Sequence, residues 1–538
     1  MSVDSRSRSA CALVFFAILA AILLLHAPLL RLPYFWDEAG YYVPAARDLL
    51  LSGSVIPHST PSNAHPPLVM AYLAGCWKVF GFSPLVTRSA MLVFAAFSLL
   101  GVFRLAQRVA NLEVAVAATA CTALYPVFFA QSSMAHVDLA AAGLTLWGVD
   151  SYLAARWRGA ALWFSLAVLA KETALLAPAA LLVWLLLCPW AGRLVRFPLG
   201  VKARNWRTIV SLLTPIAILI GWYAFHYSQT GYIFGNPEFF RYNVQATASP
   251  GRIVLAFLIR IWQVFGYMHM LVPMLLMAWA MTRPAIEDND VERKRIDVPS
   301  QGIFALLILA YATAMALVGG AVLARYMLTV VPLVIILAVS TLRRRTRAWP
   351  AFIVLTCVSF VTAWFLNPPY GFAPEDNLAY RDYVIMHKDA AAFLEARYPR
   401  ARVLTAWPAS DEISRTFLGY VTHPFQIVRV EDFTVEEVMG AAQEQNRIDV
   451  ALMFSTKYEP PHPLLAHWRA WDRIKARFFG FHHDLPAQVA AEILGGRIVF
   501  TESSAGQWVA VIELQRAQDA QRNSRSNGHE MAGMRLDH

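Results

Sequence analysis

The sequence predicts a mainly α-helical, polytopic membrane protein that carries a small soluble α/β domain near its C-terminal end. Of the 538 residues, 57% are hydrophobic and only 15% are charged, whereas soluble chains contain about 25% charged residues. Apolar stretches long enough to cross a bilayer recur up to about residue 366. Beyond that point charged residues, glycines and prolines separate short apolar runs, which is typical of a soluble domain.

A transmembrane helix needs about 20 apolar residues, and by this criterion the chain contains about eleven spans. They cover residues 10–30, 85–103, 112–129, 137–155, 159–170, 173–190, 208–226, 253–281, 302–320, 326–342 and 349–366. The pair Lys171-Glu172 interrupts one long apolar run. We interpret it as a turn between two short spans, because a single helix there would spoil the charge pattern of all later loops.

Lysine and arginine residues cluster in alternate loops when the N-terminus is placed in the cytoplasm, as the positive-inside rule requires. The clusters comprise Arg104 and Arg108, Arg156 and Arg158, Arg193 to Arg207, Arg283 to Arg295, and Arg343 to Arg347. This orientation predicts an extracytoplasmic C-terminus. It also accounts for the net charge of +10 without a nucleic-acid-binding groove, so nucleic acid is not expected as a partner.

The first outer loop, residues 31–84, is long and not simply hydrophilic. Apolar residues recur at helical spacing from Asp37 to Leu51, which predicts an amphipathic helix on the membrane surface. His65-Pro66-Pro67 opens a second apolar stretch that ends at Phe80. This stretch is short for a span, so we interpret it as interfacial or re-entrant.

Residues 367–515 form the predicted soluble domain, and residues 516–538 a polar, disordered tail. Within the domain, Ala401–Trp407, Asp449–Phe454 and Arg497–Ile512 are predicted strands, and Asp389–Ala396 and Val435–Glu444 are predicted helices. The five cysteines all lie in apolar segments without metal-like spacing, which argues against a disulfide framework or a zinc site.

Ionisable residues near a membrane are costly and each needs a reason. Asp37 and Glu38 open the amphipathic helix, either as helix-capping acids or as carboxylates that act as a base on an acceptor hydroxyl. His65 is either structural, or it orients such an acid, binds an acceptor or ligates a metal. Asp138 lies one turn into a span, and together with Asp37 it could bind a divalent metal ion or flank an acceptor. Whether the protein uses a divalent metal ion as a cofactor is left open by the sequence.

Two further pairs carry cations. Lys171-Glu172 is either a self-neutralising surface pair or a phosphate site in which the ammonium binds the anion. Arg325-Tyr326 is either an interfacial anchor or part of a lipid-phosphate pocket that supplies a cation and a phenol donor. Residues 241–243 are weaker candidates of the same kind.

The order of these motifs resembles the GT-C superfamily of membrane glycosyltransferases, in particular the protein O-mannosyltransferase and lipid A aminoarabinose transferase group with its bacterial relatives. The resemblance covers residues 10–366. The matching residues are Trp36-Asp37-Glu38-Ala39-Gly40-Tyr41-Tyr42, His65-Pro66-Pro67-Leu68, Arg88, Asp138, Ala170-Lys171-Glu172, Arg325-Tyr326 and Pro332.

The resemblance implies transfer of a sugar from a polyprenyl-phosphate-linked donor to a lipid, glycan or protein acceptor, with inversion, at the extracytoplasmic face of a bacterial inner membrane. Asp37 becomes the expected base, with Glu38 beside it. His65, Arg88, Asp138, Lys171, Glu172, Arg325 and Tyr326 become donor- or acceptor-binding candidates. Membrane lipids are expected partners.

The alternative from another functional class is a transporter or flippase of a lipid-linked glycan. Such proteins often bind near the bilayer midplane and contain internal repeats. The candidate residues here cluster toward one predicted face and no repeat is evident, which favours surface chemistry.

Overall fold

The structure is a computed structural model that describes residues 3–62, 65–195, 206–235, 249–288, 291–318, 320–460 and 468–515. The chain divides into two compact units. The first comprises Met1–Arg31, Tyr41–Leu366 and Glu375–Leu378, and the second comprises Leu32–Gly40, Asn367–Pro374 and Ala379–His538. The domain bounds 1–366 and 367–515 remain predictions. The tail at 516–538 and the candidates at 241–243 lie outside the described residues.

The first unit is built of helices. They are α1 (Val3–His26), α2 (Val43–Ser52), α3 (Leu68–Phe80), α4 (Pro84–Val109), α5 (Leu112–Leu124), α6 (Pro126–Ser133), α7 (Val137–Leu153), α8 (Trp157–Ala170), α9 (Leu176–Val195), α10 (Trp206–Thr230), α11 (Pro250–Phe265), α12 (Leu271–Met281), α13 (Val298–Val318), α14 (Val331–Arg345) and α15 (Trp349–Phe365). A two-residue hairpin, β1 (Glu287–Asp288) and β2 (Val291–Glu292), precedes α13.

Length and apolar composition qualify five of the described helical segments as membrane spans: Ser9–Leu29, Pro84–Val109, Trp206–Thr230, Pro250–His269 and Val298–Val318. The pair α5 and α6, bent by 69°, would raise the number to six if it forms one span. Five shorter apolar helices accompany them. The chain therefore has several spans, and the count of about eleven remains a prediction.

Two of the predicted spans differ from the structure. The stretch 112–129 bends at Pro126, whose ring cannot continue the helical hydrogen-bond ladder. The stretch 253–281 is broken between α11 and α12, where Met268 and His269 adopt left-handed backbone conformations. The predicted break at Lys171 is present, since α8 ends at Ala170 and a 3-10 turn follows at Glu172–Leu175.

The helix predicted from Asp37 is also present. It begins as a π-helical turn at Glu38–Tyr42, continues as α2, and ends at Gly53 in the left-handed conformation. Asp48 then accepts hydrogen bonds from the backbone amides of His58 and Ser59, both at 2.7 Å, which fixes the polar stretch after the helix.

The second unit contains a five-stranded mixed sheet. Its strands are β3 (Arg402–Thr405), β4 (Gln426–Arg429), β5 (Val450–Phe454), β6 (Gly496–Ser504) and β7 (Gln507–Leu514), in the order β4-β3-β5-β7-β6. The first three strands are parallel and the last two antiparallel. The helices are α16 (Ala379–Arg397), α17 (Ala409–Glu412), α18 (Val435–Gln443), α19 (Arg469–Phe479) and α20 (Ala487–Ile493).

Sequence periodicity located five of these regions, three with strands and two with helices, and missed others. The region predicted as one strand, Arg497–Ile512, is the hairpin of β6 and β7. Strand β4 and helix α19 are not among the predicted elements. The α/β character of the region is confirmed.

Candidate functional site

A buried charge cluster lies in the first unit around Asp138. Lys171 Nζ donates a hydrogen bond of 2.6 Å to Asp138 Oδ1, and Arg325 Nε lies 3.3 Å from Asp138 Oδ2. All three side chains are at most 6% exposed. Charges in such surroundings require partners, and one carboxylate here serves two cations.

Breaks in the helices bring these three residues together. Asp138 is in the first turn of α7, Lys171 directly follows the C-terminal end of α8, and Arg325 belongs to a 3-10 turn at Ala324–Met327. Lys171 and Arg325 thus lie outside regular α-helix, and Asp138 lies at the start of one. Backbone irregularities that expose polar groups at helix ends are a usual way to build a site in a membrane protein.

Helix α11 fixes the segment that leads to Arg325. The buried Arg260 guanidinium donates to the carbonyl oxygens of Leu323, at 2.7 Å, and Ala321, at 3.2 Å. Gln263 Nε2 donates to the carbonyl of Val322 at 2.8 Å. These bonds satisfy carbonyl groups that follow the end of α13. Because residues 321–323 lead directly to Arg325, α11 fixes the position of Arg325.

The Tyr326 ring is surrounded by cations. Lys171 Nζ lies 4.1 Å from the ring centroid, the Arg260 guanidinium carbon 5.3 Å, and that of Arg325 5.8 Å. A cation over an aromatic face is attracted to the ring, most strongly when water is excluded. The Tyr326 ring therefore stabilises the positive charges of the cluster.

Glu375 joins this cluster although it is not among the residues predicted from the sequence. Arg325 Nη1 donates to Glu375 Oε2 at 2.5 Å, and both side chains are buried. The neighbouring Asp376 accepts a 2.6 Å hydrogen bond from the Tyr267 hydroxyl. The signal in the sequence was an acidic pair shortly after the last apolar helix, in a region whose composition is that of a soluble domain.

His136 borders the charge cluster and contacts Arg325. Its Nδ1 lies 2.8 Å from Gln131 Oε1 and 3.3 Å from Arg325 Nη1. The Gln131 amide in turn donates to the backbone carbonyl of Glu375 at 3.2 Å. His136 Nε2 is buried and makes no hydrogen bond to the described residues.

His65 and Glu172 form a second pair, with His65 Nδ1 2.8 Å from Glu172 Oε2. The Tyr42 ring lies 5.9 Å from the His65 ring and 5.8 Å from the His136 ring. Lys171 and Glu172 thus have separate partners, and Lys171 is buried. This arrangement differs from the self-neutralising surface pair that the sequence allowed.

Arg88 is fully buried in α4, where its Nη1 donates to the carbonyl oxygen of Ser133 at 3.2 Å. Ser133 ends α6, two residues before Ala135 and three before His136. Arg88 therefore stabilises the chain that leads into the cluster.

Asp37 and Glu38 belong to the second unit. Glu38 is fully buried and its Oε2 accepts a 2.9 Å hydrogen bond from the backbone amide of Phe35. Asp37 is partly exposed. Of the two acids, Asp37 is thus the more accessible to a reactant.

The surroundings of Asp138 do not fit a metal site. Its two oxygens face Lys171 and Arg325, so a divalent cation would meet two positive charges. Throughout the described ranges, no group of three or more His, Cys, Asp or Glu side chains is placed to hold a metal ion.

One segment of the chain matches a known family model. Residues 64–203 match the family model of dolichyl-phosphate-mannose-protein mannosyltransferase. That segment includes His65, Arg88, Asp138, Lys171 and Glu172. No curated protein sequence matches the chain.

The chain is similar to several solved structures. The structure of ArnT from Cupriavidus metallidurans bound to undecaprenyl phosphate matches with TM-score 0.55 and 14% identity, covering 93% of this chain and 97% of the other. The apo form matches with TM-score 0.52 and 14% identity, covering 94% and 98%. AglB from Archaeoglobus fulgidus, in complex with an inhibitory peptide and a dolichol-phosphate, gives TM-score 0.47 and 13% identity, covering 92% and 74%.

The agreement with ArnT extends over nearly the whole of both chains, including the sheet-containing C-terminal region. At 14% identity it establishes the fold. With the family match and the apolar helices, it confirms the resemblance inferred from the sequence motifs. The chain is a multi-pass membrane protein whose fold is that of ArnT, and its residues 64–203 match the mannosyltransferase family model.

Proposed function

We propose that this protein transfers a hexosyl or pentosyl unit from a polyprenyl-phosphate-linked donor to a lipid, glycan or protein acceptor, with inversion at the anomeric carbon. The observation that carries the proposal is the buried group of Lys171, Arg325 and Tyr326 around Asp138. A fold alone does not define an activity, but this cluster supplies the chemistry that a departing phosphate needs.

In the proposed reaction the acceptor hydroxyl attacks the anomeric carbon, and the bond from that carbon to the donor phosphate oxygen breaks. The phosphate leaves with one additional negative charge. An ammonium has three N–H donors and a guanidinium has five, so both can bind phosphate while paired with Asp138 and Glu375. Donors held in place before the reaction stabilise developing charge without reorganisation.

The proton of the acceptor hydroxyl passes to Asp37 in this proposal. Because a phosphate departs without a strong general acid, one base suffices, unlike the two carboxyl groups of a glycoside hydrolase. Glu38, whose Oε2 is bound by the Phe35 amide, maintains the local turn. The role of Asp37 rests on the sequence motif. No step is routed through a metal ion, given the cations around Asp138.

Undecaprenyl phosphate in the ArnT structure supports a polyprenyl carrier for this chain. The decisive experiment is mass spectrometry of glycolipids and glycoproteins from cells with and without the protein, followed by reconstitution of the purified protein with a polyprenyl-phosphate sugar. We expect a glycan that loses one sugar in the deletion strain and free polyprenyl phosphate as product in vitro. Unchanged glycans with an altered sidedness of the carrier lipid would instead indicate a flippase.

The proposed orientation places the N-terminus in the cytoplasm of a bacterial cell and residues 367–515 on the periplasmic side of the inner membrane. Alkaline phosphatase fused after Leu514 is expected to be active, because this reporter folds only outside the cytoplasm. The same reporter fused after Arg345, in the arginine-rich segment at the end of α14, is the matched control and is expected to be inactive. The reverse pattern would invert the topology.

A further inference from the structure

The parallel strands of the second unit form a topological switch point, a place in α/β sheets where ligands usually bind. Strand β3 is central, β4 lies on one side and β5 on the other. The direction of chain progression therefore reverses between β3 and β5. In open α/β sheets, ligands bind outside the carboxyl ends of the strands at such a switch point.

Aromatic residues lie at this edge. Trp407 follows β3, and Phe454 is the last residue of β5. Tyr383 and His387 of α16 pack on Phe454, with ring centroids 6.1 and 4.7 Å away. His387 stacks on Tyr383 at 3.8 Å and lies 2.6 Å from Glu412.

The chain's own N-terminal segment packs against these residues. The Trp36 ring makes edge contacts with Trp407 at 5.2 Å and with Tyr383 at 5.7 Å. The Phe35 ring makes edge contacts with Tyr383 at 5.2 Å and with Tyr380 at 6.0 Å. Two adjacent aromatic side chains thus contact α16 and the residue that follows β3.

Hydrogen bonds and close packing hold the same segment. The Tyr420 hydroxyl donates a 3.0 Å hydrogen bond to the carbonyl of Tyr34. A Cβ added at Gly40 would lie 2.7 Å from Trp407 Nε1. Trp407 is itself held by a hydrogen bond to Asp411, a residue whose pKa burial raises.

The backbone at Trp36 has a φ of 44°. A non-glycine residue adopts this left-handed conformation at a cost, and it persists only where the surroundings impose it. The surroundings here are four aromatic residues, Tyr380, Tyr383, Trp407 and Tyr420, which we term the aromatic cradle.

We propose that the aromatic cradle is a positioning element that holds the turn of residues 34–40, and with it Asp37, in its working conformation. The inference rests on the proposed function of Asp37. It gives the C-terminal domain a defined role, because the chain's own Phe35-Trp36 packs at the switch point, where other α/β sheets bind a small ligand. Trp407 and Tyr383 are then positioning residues and not catalytic ones.

The test is a double-mutant cycle in the full-length enzyme between Gly40→Ala and Trp407→Phe. The added methyl group meets the Trp407 ring, so Gly40→Ala is expected to lower kcat about 10- to 100-fold, an overpacking effect, with little change in the KM for a polyprenyl-phosphate sugar. Trp407→Phe makes room for the methyl group. The kcat of the double variant should therefore be about fivefold or more above the value expected if the effects of the two single variants simply multiplied.

Gly440→Ala is the matched control, because a Cβ there meets no atom within 4 Å, and its kcat should be unchanged. Hydrogen exchange of residues 34–40 is measured in parallel, since Gly40 N bonds to Trp36 O at 2.9 Å. Faster exchange in Gly40→Ala is expected. Unchanged exchange, or a lowered kcat whose effects are additive, would overturn the inference. Faster exchange with unchanged kcat would confirm the cradle and overturn the role of Asp37 instead.

Discussion

Replacing Asp37 with asparagine is expected to lower kcat by about 100- to 10,000-fold, the range by which a positioned general base accelerates a reaction. Asparagine has nearly the same size but cannot take the proton from the acceptor hydroxyl. The KM for the lipid donor should change little, because the residues assigned to its phosphate are Lys171 and Arg325. The measurement is steady-state transfer by purified, reconstituted protein with a polyprenyl-phosphate sugar.

Two further variants sharpen this test. Glu436→Gln changes an exposed acid on α18 and serves as the matched control, with activity expected to equal that of the wild type. Glu38→Gln keeps an oxygen that can accept the Phe35 amide hydrogen bond. A loss of kcat from Glu38→Gln as large as that from Asp37→Asn would assign the base to Glu38, and full activity of Asp37→Asn would refute the assignment of Asp37.

Lys171→Met is expected to both destabilise the protein and remove transfer activity. Removing one partner of a buried ion pair costs about 3–5 kcal/mol of unfolding free energy, because the other charge remains buried. Asp138 would retain only Arg325, 3.3 Å away. Thermal unfolding of the detergent-solubilised protein should show the loss.

The double variant Lys171→Met/Asp138→Asn separates structure from function. It removes both charges and should recover most of the stability, since a buried pair replaced by uncharged side chains is often neutral or better. Transfer activity should stay low, because the ammonium that binds the phosphate is still missing. Recovery of activity together with stability would show that the pair only supports the fold.

The other end of α7 offers a control. Asp150 is buried and accepts hydrogen bonds of 2.6 and 3.2 Å from Arg108. It lies 12 residues beyond Asp138, which corresponds to about 18 Å along a helix. Asp150→Asn should destabilise the protein while the remaining folded molecules keep their binding of polyprenyl phosphate.

The sequence singled out the members of the cluster as candidates, because charge within an apolar segment is conspicuous. Asp138, Lys171 and Arg325 are each expensive to bury alone, so their convergence on one another follows from physical necessity. What the sequence could not supply was their pairing. Lys171 stands beside Glu172 in the chain, yet it bonds to Asp138, and Glu172 bonds to His65.

Other features of the structure could not be predicted from the sequence, for different reasons. Glu375 lies 50 residues after Arg325, within a stretch whose composition indicates a soluble domain, so local pattern gave no reason to connect them. The packing of Trp36 on Trp407 is also invisible to periodicity, because it depends on the tertiary fold. The break between α11 and α12 had a weak signal in Gly266 and His269 within an otherwise apolar run.

The bond from Tyr420 to Tyr34 joins residues 386 positions apart, and this separation has a consequence for biosynthesis. Chains are made at about 5–20 residues per second, so roughly 20 to 80 seconds pass between synthesis of the Phe35-Trp36 segment and synthesis of its partners. During that interval two large aromatic side chains lack their native neighbours. A ribosome that stalls before residue 407 leaves this segment without Trp407 and Tyr420, so activity should appear only after translation has passed residue 420.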